Sequence, residues 1–400
     1  LDGQRSPMQC RMEEVMNITR RTFLGTTTPA ALGAGLSVAR SWKTVRAAER
    51  GANERIRMGA IGTANRGGQI IEAALAHPEV EFVALCDVQA SAMDKWAAAL
   101  PGQVDRYSDY RKLIERNDID AVLIATPDHW HALQCVDACH AGKDVYVEKP
   151  LSITIAEGRR MIEVARETRR IVQVGLHRRS SPLFFKAEEA VKTGELGKVS
   201  VGTAYRISNM FPDGIGKCQP CDPPPDLDWD MWLGPSKWRP YNPDYVHFNF
   251  RWMLEWGGGN IRDRGAHVFS VVSWFLDLDN TGPARITATG TPPAFGIYDC
   301  PPQFEVVYEF KEPELTIVWS QPAKPASDAA FGEVFYGDKD KAVFNGGDGG
   351  CGAEDRVKNY VPPAGGVKVL DRPAIGVLLL KVRSLSCGAL MHQGFFWPRH

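Results

Sequence analysis

A glycine-rich turn between a predicted strand and a predicted helix is the feature that most constrains this chain. The turn reads Gly62-Thr63-Ala64-Asn65-Arg66-Gly67, after an apolar segment at 56–61 and before helical apolar spacing at 68–77. Glycine lets the backbone approach a phosphate closely, and the helix N-terminus offers unpaired N–H groups to it. Ala64 replaces the usual middle glycine and adds one methyl group near the expected phosphates. The turn therefore predicts a nucleotide-binding sheet.

Asp87 supports this prediction and favours NAD as the cofactor. It follows the next predicted strand, 80–86, and lies 20 residues after Gly67. At this separation a dinucleotide-binding fold places the carboxylate that binds the adenosine ribose. The carboxylate accepts hydrogen bonds from both ribose hydroxyls and repels a 2′-phosphate, so we expect NAD rather than NADP. The alternative interpretation is an ordinary α/β turn followed by a chance aspartate.

The pattern of predicted elements divides the chain into four parts. Strands and helices alternate over 52–174, which predicts an NAD-binding Rossmann domain with a doubly wound parallel sheet. Over 175–371, strands surround one long helix at about 263–276. This predicts an α+β substrate and oligomerisation domain with an open, largely antiparallel sheet. Residues 372–400 form an atypical tail, and residues 1–50 contain upstream residues and a signal segment.

The signal segment contains Arg20-Arg21, followed by Phe23-Leu24 and a mildly apolar stretch to Val38 that is too short to span a bilayer comfortably. It resembles a twin-arginine export signal. We therefore expect the twin-arginine translocase as a transient partner, a periplasmic location and no stable membrane insertion. A basic tail on a cytoplasmic protein is the alternative. The net charge of −1 gives no electrostatic footprint for nucleic acid.

Two polar segments follow neighbouring predicted strands of the first domain. One is Thr126-Pro127-Asp128-His129-Trp130-His131, and the other contains Glu148 and Lys149. Both should lie at the carboxyl edge of the sheet, near the nicotinamide. A lysine there can polarise a reacting hydroxyl or carbonyl oxygen, although a solvated loop lysine is the alternative. His129 and His131 have no third ligand at suitable spacing, so we predict no metal site.

Asp263 and His267 lie four residues apart at the start of the long predicted helix, on one of its faces. A histidine there can take a hydroxyl proton as a hydride leaves the same carbon, and an aspartate can orient it. A helix cap with a core histidine is the alternative. Nearby, Arg251 can hydrogen-bond hydroxyls and Trp252 can cover the C–H face of a sugar, so both are candidate substrate residues together with Lys149.

Six motifs together resemble the glucose–fructose oxidoreductase / inositol dehydrogenase / MocA (Gfo/Idh/MocA) family over roughly residues 52–345. They are the glycine turn, TPDHWH at 126–131, VEKPL at 147–151, GLHRR at 175–179, LDWDMWLGP at 227–235 and GGGxxxDxGxH at 257–267. The resemblance implies that Lys149 is the catalytic lysine and that His267, paired with Asp263, is the general acid/base. It also implies that His131 and Arg178 line the nicotinamide pocket and that the substrates are sugars, cyclitols or derivatives.

These observations lead to one function and two alternatives. We expect an exported oxidoreductase that transfers a hydride from a carbohydrate hydroxyl to tightly bound NAD, in a homo-oligomer. The alternatives are an NAD-dependent glycosidase or lyase that uses transient oxidation and elimination, and a non-catalytic sugar-binding relative. The residues predicted to bind the cofactor are Gly62, Thr63, Ala64, Asn65, Arg66, Gly67, Asp87, Thr126, Pro127, His131, Glu148, Lys149 and Arg178.

Overall fold

Two six-stranded sheets organise the residues that the structure, a computed structural model, describes: 55–206, 218–321 and 331–346. The predicted signal segment and the atypical tail lie outside the described residues. Among the described helices, none combines the length and apolarity that a bilayer crossing requires.

The first sheet is entirely parallel and has the strand order β3-β2-β1-β4-β5-β6. Its strands are β1 (Ile56–Ile61), β2 (Val80–Cys86), β3 (Asp105–Tyr107), β4 (Ala121–Ile124), β5 (Asp144–Val147) and β6 (Val172–Val174). The chain order reverses between β1 and β4. A ligand-binding crevice forms at such a point in an open α/β sheet, beyond the carboxyl ends of the strands. The predicted doubly wound parallel sheet is confirmed.

The helices of the first domain are α1 (Asn65–Ala74), α2 (Asp94–Ala99), α3 (Tyr110–Ile114), α4 (Asp128–His140) and α5 (Ile155–Thr168). Both α1 and α4 begin three residues earlier than the apolar spacing predicts, directly after their turns. In α1 this early start requires Gly67, because a Cβ there would clash with the carbonyl oxygen of Gly62. In α4 it places Asp128 in the first turn, with Pro127 at the preceding cap position.

The second sheet is mixed and has the order β12-β11-β7-β10-β9-β8. Its strands are β7 (Val199–Arg206), β8 (Arg285–Thr291), β9 (Gln303–Lys311), β10 (Glu314–Gln321), β11 (Phe331–Gly337) and β12 (Lys341–Gly346). Only the β7–β10 pair is parallel within this sheet, so the prediction of a largely antiparallel sheet is confirmed. The strand predicted from Val199 was expected to end at residue 207, which lies outside the described residues.

In the described part of the second domain, α6 (Pro182–Lys192) and α8 (Gly259–Phe275) pack against this sheet, whereas the short helix α7 (Trp229–Leu233) contacts Trp130 of the first domain. The sequence predicts α8 but not α6. Short 3₁₀ turns occur at Ala90–Met93, His177–Ser180, Pro243–Tyr245 and Asn249–Trp252. The alternation of β9 and β10 directs Tyr308 and Trp319 inward, where they belong to the same core as Val271 and Phe275 of α8. This packing holds α8 beside the second sheet.

Trp319 should be a major contributor to the stability of the second domain. Its side chain is fully buried, whereas Trp238 is 71% exposed. Trp319→Ala leaves a cavity, and we expect it to lower the free energy of unfolding by about 3–5 kcal/mol. Trp238→Ala, the matched control, should change it by less than about 0.5 kcal/mol. Denaturant unfolding followed by circular dichroism measures both, and equal effects would contradict the observed core.

Candidate active site

A cavity of about 570 Å³ opens at the carboxyl edge of the first sheet, where the chain order reverses. Residues of both domains line it, including α7, the 3₁₀ turn at Asn249–Trp252 and the start of α8. The predicted residues that line this cavity are Gly62, Ala64, Asn65, Arg66, Asp87, Thr126, Pro127, His131, Glu148, Lys149, Arg251, Asp263 and His267. Thr63, Gly67, Arg178 and Trp252 are not among its lining residues.

The glycine turn forms one end of the cavity and fits a dinucleotide pyrophosphate. Gly62 has a φ of +83°, and a Cβ there would lie 2.7 Å from the carbonyl oxygen of Ala125, so the two strand ends approach closely. Ala64 occupies the cap position of α1 and provides no side-chain hydrogen bond. The first N–H groups of the helix therefore remain available to an anion.

Asp87 is held beside this turn by its neighbours. Its Oδ2 accepts hydrogen bonds from the backbone N–H and the hydroxyl of Thr63, at 2.8 and 3.1 Å, and its Oδ1 accepts one from the Gln89 N–H at 3.0 Å. A carboxylate can accept about four hydrogen bonds, so capacity remains for ribose hydroxyls. Thr63 is thus a buried positioning residue behind the cavity.

The other end of the cavity is strongly charged. Lys149 follows β5, and its Nζ donates to Asp263 Oδ1 of α8 at 2.6 Å. The Arg251 Nε lies 3.3 Å from the same oxygen. The Arg264 Nε lies 3.6 Å from Asp263 Oδ2. Although burial opposes ionisation, these three cations hold the pKa of Asp263 well below its ordinary value. Asp263 is therefore a carboxylate that fixes the ammonium group of Lys149.

His267 lies one helical turn after Asp263 and is buried. Burial, and then the charge of Lys149, lower the pKa of His267 well below its ordinary value. Its Nδ1 has no hydrogen-bond partner among the described residues, and its ring packs edge-on against His177 with centroids 4.7 Å apart. His267 is therefore a neutral imidazole at neutral pH, able to accept a proton.

Arg66 connects the glycine turn with the charged end. Its Nε donates to Glu148 Oε1 at 2.9 Å, and its Nη2 lies 3.2 Å from His177 Nδ1. Glu148 Oε2 also accepts the Lys149 backbone N–H at 3.1 Å. Glu148 therefore orients the loop that presents Lys149. Burial, with the nearby charge of Arg66, lowers the pKa of His177 to about 4.

Two predicted site residues contact other buried groups. Arg178 Nη1 donates to the buried Glu333 Oε1 of β11 at 2.6 Å. Burial raises the pKa of Glu333 to about 7 despite this partner. Trp252 packs in an aromatic core with Trp229 and Trp256. Neither residue lines the cavity, and the assignments of Arg178 to the nicotinamide and of Trp252 to substrate stay predictions.

The cavity residues that the predicted site lacks include three polar ones in its motifs: Asp128, His177 and Arg264. Each lies within a motif that the sequence displays, but only packing shows that its side chain reaches the cavity wall. His129, in contrast, is buried and bonded through Nε2 to the Trp232 carbonyl oxygen at 3.0 Å. Within the described part of the chain, no group of three or more histidine, cysteine, aspartate or glutamate residues could hold a metal ion.

The protonation of His267 should depend on Lys149. A cation disfavours the charged imidazolium, so Lys149→Met should raise the pKa of His267, while burial still keeps it below the ordinary value. Titration of ring-labelled histidine by NMR measures this shift, with the signal assigned through a His267→Gln variant. The exposed Lys112→Met control should leave the pKa unchanged. An equal pKa of His267 in wild type and Lys149→Met would contradict the electrostatic coupling.

Comparison with known proteins agrees with this architecture. The model for an oxidoreductase family NAD-binding Rossmann fold matches residues 56–176, and the model for an oxidoreductase family C-terminal alpha/beta domain matches residues 191–299. A glycosyl hydrolase family 109 protein of Saccharopolyspora erythraea is 35% identical over an alignment of 174 residues. The match covers 38% of this chain and 38% of that protein. An inositol 2-dehydrogenase of Salmonella typhimurium is 36% identical over 138 residues, 33% of this chain and 40% of that protein. The matched region thus spans less than half the length of these relatives.

Solved structures show the same fold at lower identity. The WlbA dehydrogenase of Bordetella pertussis, solved with NADH and UDP-GlcNAcA, superposes with a TM-score of 0.56 at 18% identity, covering 73% of this chain and 78% of that one. GenD2 from gentamicin A biosynthesis, solved with NAD, gives a TM-score of 0.54 at 20% identity and covers 73% of each chain. The two matching domain models cover more than half of this chain, which belongs to the Gfo/Idh/MocA family of oxidoreductases and has an NAD-binding Rossmann domain.

Proposed function

We propose that this protein is an NAD-dependent dehydrogenase that oxidises a hydroxyl group of a sugar, a polyol or a derivative. The observation that supports the proposal is the meeting of Lys149, from the first domain, with Asp263 and His267, from the second, in the cavity that contains the glycine turn. An ammonium donor and a neutral imidazole at one site are the groups that alcohol oxidation requires.

The reaction converts a carbinol to a carbonyl group by removing one hydride and one proton. When bound, NAD supplies the acceptor for the hydride. Lys149 donates a hydrogen bond to the reacting oxygen and stabilises its developing negative charge. A ring nitrogen of His267 accepts the hydroxyl proton, because the lowered pKa keeps the imidazole neutral. Asp263 holds the Lys149 ammonium group in position.

The carbohydrate class is supported by donor groups beside the reacting position and by the named relatives. Arg251 and Arg264 line the cavity next to Asp263 and can hydrogen-bond hydroxyl oxygens. The matched relatives include an inositol 2-dehydrogenase, and a structural neighbour was solved with UDP-GlcNAcA. We therefore infer a polyhydroxylated substrate.

A second candidate function uses the same groups without net oxidation. The similarity to a glycosyl hydrolase family 109 protein favours it. In this cycle, oxidation of one hydroxyl acidifies the neighbouring C–H bond, and a substituent leaves by elimination. Water then adds and the hydride returns, so the cofactor is regenerated. A sugar-binding relative without activity is a third candidate, and the presence of Lys149, Asp263 and His267 argues against it.

Two assays on the purified full chain with NAD separate these candidates. If the protein is a dehydrogenase, hexoses or inositols should raise the nicotinamide absorbance. If it is a glycosidase, chromogenic glycosides should release their leaving group continuously without an added acceptor. Lys149→Met should lower kcat/KM by about 10²–10⁴-fold in whichever assay is active. Lys112→Met, at an exposed lysine, should match wild type. Wild-type activity in Lys149→Met would contradict both catalytic proposals.

We also propose that the protein is exported to the periplasm by the twin-arginine route and works there as a homo-oligomer. The export proposal is supported by Arg20-Arg21 and the short apolar stretch after them. Replacing both arginines by lysine should retain the full-length precursor in the cytoplasm, as cell fractionation would show, whereas Arg5→Lys should have no effect. An unchanged distribution in the double variant would contradict export by this route. Sedimentation of the purified protein tests the oligomer.

A further inference from the structure

Asp128 is a buried carboxyl group in the cavity wall, and one of its oxygens has no hydrogen-bond partner in the described part of the chain. It lies in the first turn of α4, is 4% exposed and lines the cavity. The oxygen without a partner among the described residues is Oδ2. Buried polar groups are nearly always hydrogen-bonded, so an orphaned carboxyl oxygen beside a ligand cavity points to a partner supplied by the ligand.

The charged groups that surround Asp128 are already engaged elsewhere. They are His131, Lys149, Arg251, Arg262 and Asp263. The nitrogens of Lys149 and Arg251 contact Asp263 Oδ1.

The other two neighbours, His131 and Arg262, contact backbone carbonyl groups. The ring nitrogens of His131 lie 2.7 Å from the Pro150 oxygen and 2.9 Å from the Thr126 oxygen. The Arg262 guanidinium donates to the Ile153 oxygen at 2.9 Å. None of these neighbours donates a hydrogen bond to Asp128, and burial raises the pKa of Asp128 to about 6.

Asp128 belongs to the charged end of the cavity, not to the glycine turn. It follows β4, Lys149 follows β5, and these two strands are adjacent in the sheet. Both residues line the cavity and the charge of Lys149 acts on Asp128, so a carboxylate acceptor and an ammonium donor face the same space. Two such groups suit two oxygens on neighbouring carbons of a ring.

We propose that Asp128 accepts a hydrogen bond from the substrate hydroxyl next to the one on which Lys149 and His267 act, so that the substrate class is a vicinal diol of a sugar or cyclitol. This inference rests on the proposed function and narrows its substrate. Asp128 would then be a specificity-determining residue, because a ligand without the second hydroxyl leaves its carboxyl group unpaired.

The test compares wild type with Asp128→Asn, each loaded with NADH, by calorimetric titration with myo-inositol, D-glucose and D-galactose and with the monodeoxy analogues of each. For a polyol that binds, the variant should weaken the affinity by about 10- to 100-fold, as expected for loss of a hydrogen bond to a charged group. For the analogue that lacks the contacted hydroxyl, wild type and variant should bind equally. The affinity for NADH should stay unchanged, and the exposed Asp94→Asn control should behave as wild type throughout.

Two further readouts separate this role from a structural one. Removing an unpartnered buried carboxylate should leave Tm unchanged or raise it at pH 7, whereas loss of a structural group would lower it. Wild-type polyol affinity should also fall as the pH drops through about 6, because the protonated carboxyl group is a poorer acceptor, and the fall should be absent in Asp128→Asn.

The outcomes distinguish this inference from the proposed function. Equal polyol affinity in wild type and Asp128→Asn, or a loss confined to NADH, overturns the inference even if polyols are oxidised. Binding that depends on Asp128 without any reduction of NAD by polyols overturns the dehydrogenase and supports the diol contact. If none of the polyols binds to wild type, the proposed diol class is wrong and the inference falls with it.

Discussion

The ion pair between Lys149 and Asp263 is the interaction on which the site depends. It joins the loop after β5 of the first sheet to α8 of the second domain, across 114 residues of sequence, with 2.6 Å between Nζ and Oδ1. Removing two charges from water is costly, and one ion pair rarely offsets that cost. Here Arg251 and Arg264 add further attraction to the same carboxylate. The fold maintains this cluster because it brings Lys149 and His267 into one cavity.

The two ends of the cavity offer different chemical groups. At the glycine turn, backbone N–H groups and Asp87 provide fixed, hydrogen-bonded contacts. At the charged end, burial raises the pKa of carboxyl groups and lowers the pKa of histidine. The pKa of Asp128 rises, whereas the pKa of His267 falls, and the cations around Asp263 overcome the effect of burial there. Groups whose pKa values are moved apart in this way are typical of acid–base catalysis.

Much of the site could be predicted because its signals are local. The glycine turn, Asp87 at the end of β2 and the spacing of Asp263 and His267 depend on strand and helix periods that are readable along the chain. Four strands of the parallel sheet, β1, β2, β4 and β5, were predicted individually, whereas β3 and β6 were not. The early start of α4 was missed, because apolar spacing does not mark a first turn that is polar.

The sequence alone determined the two sheet types, the NAD-binding turn and the residue types available for chemistry, because each follows from short-range periodicity and backbone geometry. Tertiary structure alone decided which groups each of the buried side chains contacts. Arg178 reaches Glu333, Trp252 enters an aromatic core, and Asp128 Oδ2 has no hydrogen-bond partner within the ranges that the structure describes. The physical reason is that charge pairing and burial depend on which distant elements pack together. That packing is set by the whole apolar core and is not encoded near any one of these residues.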